Sequence, residues 1–71
     1  MKAKARNVQD YLEELDRSKK DRTEQVKEGL EIYIDLWKKA IANGVVAPSD
    51  DVESALEKIE EKGGLYQAAE D

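Results

Sequence analysis

The amino-acid sequence predicts an all-α fold, a small three-helix bundle, and two kinds of observation lead to this prediction. Apolar residues recur three and four positions apart in three separate segments, which is the spacing of helices that bury one face. Residues that cap or end helices fall between these segments. A chain of 71 residues has the size of one domain. We therefore expect a single helical domain over residues 1–71, with helices near residues 7–19, 22–43 and 49–62.

The first predicted helix is short and amphipathic, and it begins at Asn7, a residue type that caps helix N-termini. The segment that follows it, residues 18–22, is entirely polar, and Asp21 and Thr23 are suitable caps for a second helix. We therefore expect a turn between the two helices. A continuous helix over residues 7–43 is the alternative, since residues 18–22 contain neither glycine nor proline. The apolar stripe of the first helix consists of Val8, Tyr11, Leu12 and Leu15.

The second predicted helix, residues 23–43, is central to the fold because it is the most apolar segment and contains the only tryptophan. At 100° per residue ten of its eleven apolar or glycine residues cover an arc of about 200°, roughly twice that of an ordinary surface helix. The acidic residues opposite, between Glu24 and Asp35, are interpreted as a solvated face with ion pairs to nearby lysines. Asn43 and Gly44 predict the end of the helix. The arc consists of Val26, Gly29, Leu30, Ile32, Tyr33, Ile34, Leu36, Trp37, Ala40 and Ile41.

The third predicted helix follows a short apolar connection, and either Ser49 or Asp50 is its expected N-cap. A Gly-Gly pair at residues 63–64 predicts its end. The two terminal segments are predicted to be a flexible basic arm, residues 1–6, and an acidic C-terminal tail, residues 65–71, which is too short to form a stable helix alone. The apolar stripe of the third helix consists of Val52, Ala55, Leu56 and Ile59.

Catalytic and metal-binding functions are disfavoured by the composition. The chain contains no cysteine and no histidine, which removes disulfides, thiolate metal sites and the commonest general base. It also lacks the familiar glycine-rich motifs that bind nucleotide phosphates. We therefore expect a protein that is not an enzyme, with no catalytic, cofactor-binding or metal-binding residues and no small-molecule substrate.

Hydropathy and charge indicate where the protein acts and what it binds. The uninterrupted apolar runs are far too short to cross a membrane, and no apolar run follows the basic N-terminus as in a signal peptide. We therefore expect a cytoplasmic protein without a membrane partner. The formal net charge is −5, and residues 23–71 carry twelve acidic side chains against five basic ones. This acidity disfavours nucleic acid as a general partner, because phosphate binding needs a cationic surface.

The width of the apolar arc predicts an interaction function. The stripes of the first and third helices are narrow, so another protein or a second copy of the chain is expected to cover part of the arc. We therefore predict a non-catalytic protein–protein interaction or regulatory module, with homodimerisation as one way to complete the bundle. Core packing is the alternative role for the aromatic residues of the arc. The expected partner-contact residues are Tyr33, Leu36, Trp37, Leu65 and Tyr66, chosen because aromatic side chains dominate binding energy in interfaces.

Two other functions remain as alternatives. Basic residues alternate in residues 1–6 and are followed by two predicted helices, an order that resembles the ribbon-helix-helix repressors. This resemblance, over residues 1–35, implies a dimeric DNA-binding regulator whose N-terminal strands enter the major groove, although Ala3 and Ala5 are weak strand formers. The second alternative is an acidic nucleic-acid mimic that inhibits a basic protein. In the DNA-binding interpretation the contacting residues are Lys2, Lys4 and Arg6.

Overall fold

The computed structural model describes residues 7–70, and within this range the chain forms α-helices and no strand, which confirms the all-α prediction. A single 3-10 turn, Lys19–Asp21, separates the first two helices. The predicted turn is therefore confirmed, and the alternative of one continuous helix is wrong. The predicted basic arm, residues 1–6, lies outside the described residues. The helices are α1 (Val8–Ser18), α2 (Glu24–Ala42), α3 (Val52–Lys62) and α4 (Leu65–Glu70).

Helices α1 and α2 form an antiparallel pair. Both begin at the predicted type of cap: the Asn7 side chain accepts a hydrogen bond from the Asp10 backbone N–H, and the Thr23 side chain accepts one from Val26. The Tyr11 ring lies 5.8 Å from the Trp37 ring, measured between centroids. Directly after α1, Lys19 Nζ lies 3.3 Å from a carboxylate oxygen of Glu31, so α2 runs back alongside α1 after the turn.

The end of α2 has the predicted geometry. Gly44 adopts a positive φ of 80°, which a residue without a Cβ reaches at little steric cost. Its N–H donates to the Ile41 carbonyl, and the N–H of Val45 donates to the Ala40 carbonyl, both at 3.0 Å. These two bonds form a Schellman motif, which satisfies carbonyl groups left unpaired by the helix end.

Helix α3 begins later than predicted and with a different cap. Asp51 holds the N-cap position and makes no side-chain capping bond, so the prediction of Ser49 or Asp50 is wrong. The Asp50 carboxylate accepts hydrogen bonds from Lys58 Nζ at 2.8 Å and from the Ala47 backbone N–H at 3.0 Å. These two bonds, that of Lys58 first, lower the pKa of Asp50. Because the Asp50 carboxylate bonds to its own loop and to Lys58 of α3, it does not cap the helix.

The connection between α2 and α3 also caps α1. The carbonyls of Pro48 and Asp50 accept hydrogen bonds from the first two N–H groups of α1, those of Gln9 at 3.1 Å and Val8 at 2.9 Å. These groups have no partner within their own helix. The connection therefore fixes the N-terminus of α1 beside the start of α3.

Residues 65–70 form a fourth helix, in addition to the three that were predicted. Six residues do not make a persistent helix in water, so tertiary contacts must hold α4 in place. Ala68 is fully buried, and Leu65 packs against the core. The amide group of Asn43 donates to the carbonyls of Ala68 and Ala69 at 3.1 and 2.9 Å, which caps the C-terminal end of α4.

Helix α4 changes how the bundle is arranged. The close backbone approaches of α2 are to α1 and α4, and those of α3 are also to α1 and α4. The described parts of α2 and α3 make no such close backbone approach to each other, and α4 packs against both. One buried cluster joins all four helices and the connection between α2 and α3, with Trp37 as its largest fully buried side chain. Its members are Val8, Trp37, Ala40, Val46, Ala55, Ile59 and Ala68.

Candidate functional site

The neighbouring helices cover only part of the apolar arc of α2. Ile34, Trp37 and Ala40 are buried. By contrast, the side chain of Ile32 is 56% exposed and that of Val26 is 46% exposed. The exposed members of the arc lie in the N-terminal two-thirds of α2, before Ala40. Helix α4 docks near the other end of α2, where it accepts a hydrogen bond from Asn43. The described part of the chain therefore leaves a portion of the arc uncovered.

Four residues of the arc form a continuous apolar surface, which we call the α2 strip: Val26, Gly29, Ile32 and Leu36. They are three or four positions apart and are therefore neighbours on one side of the helix. The strip runs for about 15 Å along the helix axis. Leu36, at its C-terminal end, is half-buried. A Cβ built on Gly29 would meet no atom of the described residues within 4 Å, so the middle of the strip is open.

Replacing Gly29 with Ala is expected to stabilise the isolated chain by about 1 kcal/mol. Gly29 lies inside α2 with an ordinary helical φ, and the added methyl group has free space. Thermal unfolding should show the midpoint rise by roughly 4–8 °C. Gly44→Ala is the matched control, because the same exchange at a φ of 80° should lower the midpoint. A drop with Gly29→Ala would contradict the open position of Gly29.

The acidic face next to the strip is neutralised unevenly. Glu31 and Asp35 each lie 3.3 Å from a lysine Nζ, those of Lys19 and Lys39, and these exposed pairs contribute little stability. Within residues 7–70, neither Glu24 nor Glu28 has an ion pair. The N-terminal half of this acidic face thus carries two carboxylates without an ion pair in the described structure.

The structure separates the five predicted partner-contact residues. Trp37 is completely buried, so its side chain belongs to the core and is not accessible to a partner in this conformation. Leu65 packs against the core, and the half-buried Tyr33 does the same. Leu36 lies on the α2 strip, and Tyr66 on α4 is 69% exposed.

Sequence reasoning missed the two most exposed residues of the strip, Val26 and Ile32. A signal for them was present in the helical wheel. Ile32 lies at the edge of the arc next to the acidic face, and Val26 lies in the first turn, where a short neighbouring helix covers least. The preference of interfaces for aromatic residues directed attention to Trp37 in their place.

Three aromatic rings form a compact cluster between α1 and α2. Tyr11, Tyr33 and Trp37 meet edge to face, with centroids 5.8 to 6.5 Å apart. The hydroxyl groups of Tyr11 and Tyr33 share a hydrogen bond of 3.1 Å. Burial, together with this bond, raises the pKa of Tyr11 to about 12. The indole N–H of Trp37 is buried and has no hydrogen-bond acceptor within residues 7–70. The cluster therefore serves packing and holds its tyrosines close together.

Alkaline pH is expected to destabilise the protein through Tyr11. In the unfolded chain a tyrosine ionises near pH 10, whereas folded Tyr11 keeps its proton until about pH 12. Between these values the unfolded state binds fewer protons than the folded state, so the free energy of unfolding falls as the pH rises. The stabilisation that Tyr11 contributes is fully present below about pH 10. Urea unfolding across this range should show a smaller decline for Tyr11→Phe than for the wild type. Tyr66→Phe, which changes an exposed tyrosine, should decline like the wild type.

A depression with a volume of about 590 Å³ lies between α1 and α2. Its floor is apolar and its rim carries both signs of charge. It is wide open to solvent, which limits how much of a small molecule it can enclose. Its floor includes Leu12, Ile34 and Ile41, and its rim includes Glu13, Asp16, Arg17 and Lys38.

The described part of the chain has neither a metal-binding cluster nor a membrane-spanning helix. In residues 7–70 no three acidic side chains come together in a way that could hold a metal ion. No helix in this range has the length and apolar character needed to cross a membrane. The residues of the DNA-binding interpretation, Lys2, Lys4 and Arg6, lie outside the described residues. Comparison with protein-family models, curated proteins and solved structures finds no match to this chain.

Proposed function

We propose that this small acidic protein is a non-catalytic protein–protein interaction module that binds its partner through the α2 strip. The observation that carries the proposal is Ile32, more than half exposed beside Gly29 on the longest helix of the bundle. In keeping with the absence of cysteine, we place this activity in the cytoplasm.

Two physical arguments support an interaction role for the strip. Single exposed apolar side chains are common on proteins, but contiguous apolar surface is a feature of binding sites. In addition, a glycine in a helix interior costs about 1 kcal/mol relative to alanine. Gly29 has no positive φ and no close neighbour in the described structure to account for that cost. A partner that packs closely against the backbone of α2 at Gly29 would need a residue without a side chain there, and this accounts for the glycine.

A capture experiment with matched variants tests this proposal. The tagged chain is used to retain proteins from native lysate, in parallel with Ile32→Glu and Leu56→Glu. Leu56 on α3 is 44% exposed, so the control introduces the same charge at a comparably exposed leucine outside the strip. We expect a protein that is retained by the wild type and by Leu56→Glu, and lost with Ile32→Glu. Circular dichroism shows whether all three remain folded.

The proposal is wrong if Ile32→Glu retains the same proteins as the wild type while staying folded. It is also wrong if Ile32→Glu and Leu56→Glu lose them equally, because binding then does not depend on the strip. The remaining predicted alternatives, DNA binding and nucleic-acid mimicry, do not require Ile32 and predict no difference between these variants.

A further inference from the structure

We propose that the segment bound by the α2 strip is a basic amphipathic helix of another protein, with lysine or arginine side chains along one edge of its apolar stripe. This inference rests on the proposed function and names the chemistry of the partner. Its apolar residues would contact Ile32 and Leu36, and its basic edge would face Glu24 and Glu28.

The argument from charge begins with the two unpaired glutamates. Glu28 lies one turn before Ile32, so its carboxylate borders the strip at Ile32. Glu24 lies four residues before Glu28, and two like charges at this spacing repel each other by a few tenths of a kcal/mol. Within residues 7–70 neither has an ion pair. Two cations delivered by a partner would neutralise both carboxylates beside the apolar contact.

The shape of the strip favours a helix as the occupant. The strip is a ridge on a helix with an open notch at Gly29, where the backbone is accessible. Helices pack with their axes 8–10 Å apart, and small residues at the crossing permit the shorter distances. A partner helix with apolar residues three and four positions apart presents a stripe of matching length and direction.

A second copy of this chain fits the same surface less well. In a parallel pair, Glu24 and Glu28 of each copy would lie beside the same residues of the other. In an antiparallel pair centred on Ile32, Glu28 of one copy would lie near Asp35 of the other. Lys39 already pairs with Asp35 within its own copy. Each copy also carries a formal net charge of −5. Charge complementarity therefore points to a basic partner.

The test uses a labelled synthetic peptide of about 18 residues as the probe, long enough to form a helix when bound. The basic probe has leucines at helical spacing and lysines elsewhere, and the acidic probe has glutamates in place of the lysines. Fluorescence anisotropy measures the binding of each to the full chain at several salt concentrations. We expect saturable binding of the basic probe with Kd rising with salt, and binding of the acidic probe weaker by at least about tenfold.

Variants locate the binding on the strip. Ile32→Glu should weaken binding of the basic probe by at least about tenfold, and Leu56→Glu should leave it within about twofold of the wild type. The double variant Glu24→Gln/Glu28→Gln should weaken binding several-fold and reduce its salt dependence. The control Glu57→Gln/Glu60→Gln removes the same number of charges from exposed positions of α3 and should have little effect.

Three results would overturn this inference. The first is equal binding of the basic and acidic probes, or no saturable binding of the basic probe. The second is an equal loss in the two glutamine double variants, because net charge alone would then explain binding. The third is sedimentation of the wild type as a dimer that Ile32→Glu abolishes, which would identify a second copy as the occupant. In each case, an Ile32-dependent capture from lysate would leave the proposed function standing while the basic helix is rejected.

Discussion

Replacing Trp37 with Ala is expected to remove a large part of the free energy of unfolding of the chain. Trp37 has no exposed surface, and its ring contacts Tyr11 and Tyr33 edge to face. Removing a buried tryptophan costs about 3–5 kcal/mol, because the chain loses the burial and is left with a cavity. The total stability of a domain of 71 residues is only about 4–11 kcal/mol. The variant thus loses at least about a quarter of the stability available.

Thermal and urea unfolding followed by circular dichroism measure this effect. The midpoint should fall by roughly 12–40 °C, given 4–8 °C for each kcal/mol in domains of this size. Tyr66→Ala is the control, because Tyr66 is 69% exposed and should shift the midpoint little. A Trp37→Ala variant that unfolds like the wild type but loses a binding partner would show that Trp37 acts at an interface and not in the core.

The second large effect is expected for Ala68→Glu, which should detach α4 from the bundle. Ala68 is fully buried and its neighbours in the core are apolar. A carboxylate at this position is either buried without a partner, at a cost of several kcal/mol, or reaches solvent only if α4 leaves its place. Leaving also breaks the two hydrogen bonds from Asn43 to the end of α4. We expect a loss of stability of about 3 kcal/mol or more.

Amide hydrogen exchange and unfolding midpoints report on this change. In Ala68→Glu the amides of residues 65–70 should lose protection and the midpoint should fall by more than about 12 °C. Gln67→Glu introduces the same charge one residue earlier, at an exposed position of the same helix, and should change the midpoint by only a few degrees. If the two variants behave alike, α4 does not depend on the burial of Ala68.

The features of the fold that were predicted correctly depend on nearby residues. The caps at Asn7 and Thr23 and the stop at Gly44 each use atoms within five positions along the chain. Helix α4 was not predicted as a helix, because the bonds that hold it come from Asn43, 25 and 26 residues away. Asp50 was misassigned for the same reason. Its pattern with Glu53 is that of a cap, but Lys58, eight residues away, competes for the carboxylate.

The candidate site was predictable in outline but not in detail. The width of the α2 arc indicated that narrow stripes on the other helices would leave part of it uncovered, and the exposure of Val26 and Ile32 agrees with this. Which part stays uncovered depends on where α4 docks, and that docking is a tertiary event. Trp37 is fully buried, while Ile32 is more than half exposed.

The most direct test of the account is the accessibility of the α2 strip in the free, folded chain. Because the sequence contains no cysteine, Ile32→Cys and Ile34→Cys each introduce a single thiol, and its rate of modification by Ellman's reagent reports exposure. Ile34 is only 6% exposed although it lies two residues from Ile32 on the same helix. We predict that the Ile32→Cys thiol reacts nearly as fast as in urea, and that the Ile34→Cys thiol reacts at least about tenfold more slowly. Equally slow reaction of both thiols in dilute solution would show that the chain covers the strip itself, and would contradict the proposal that the strip is its binding surface.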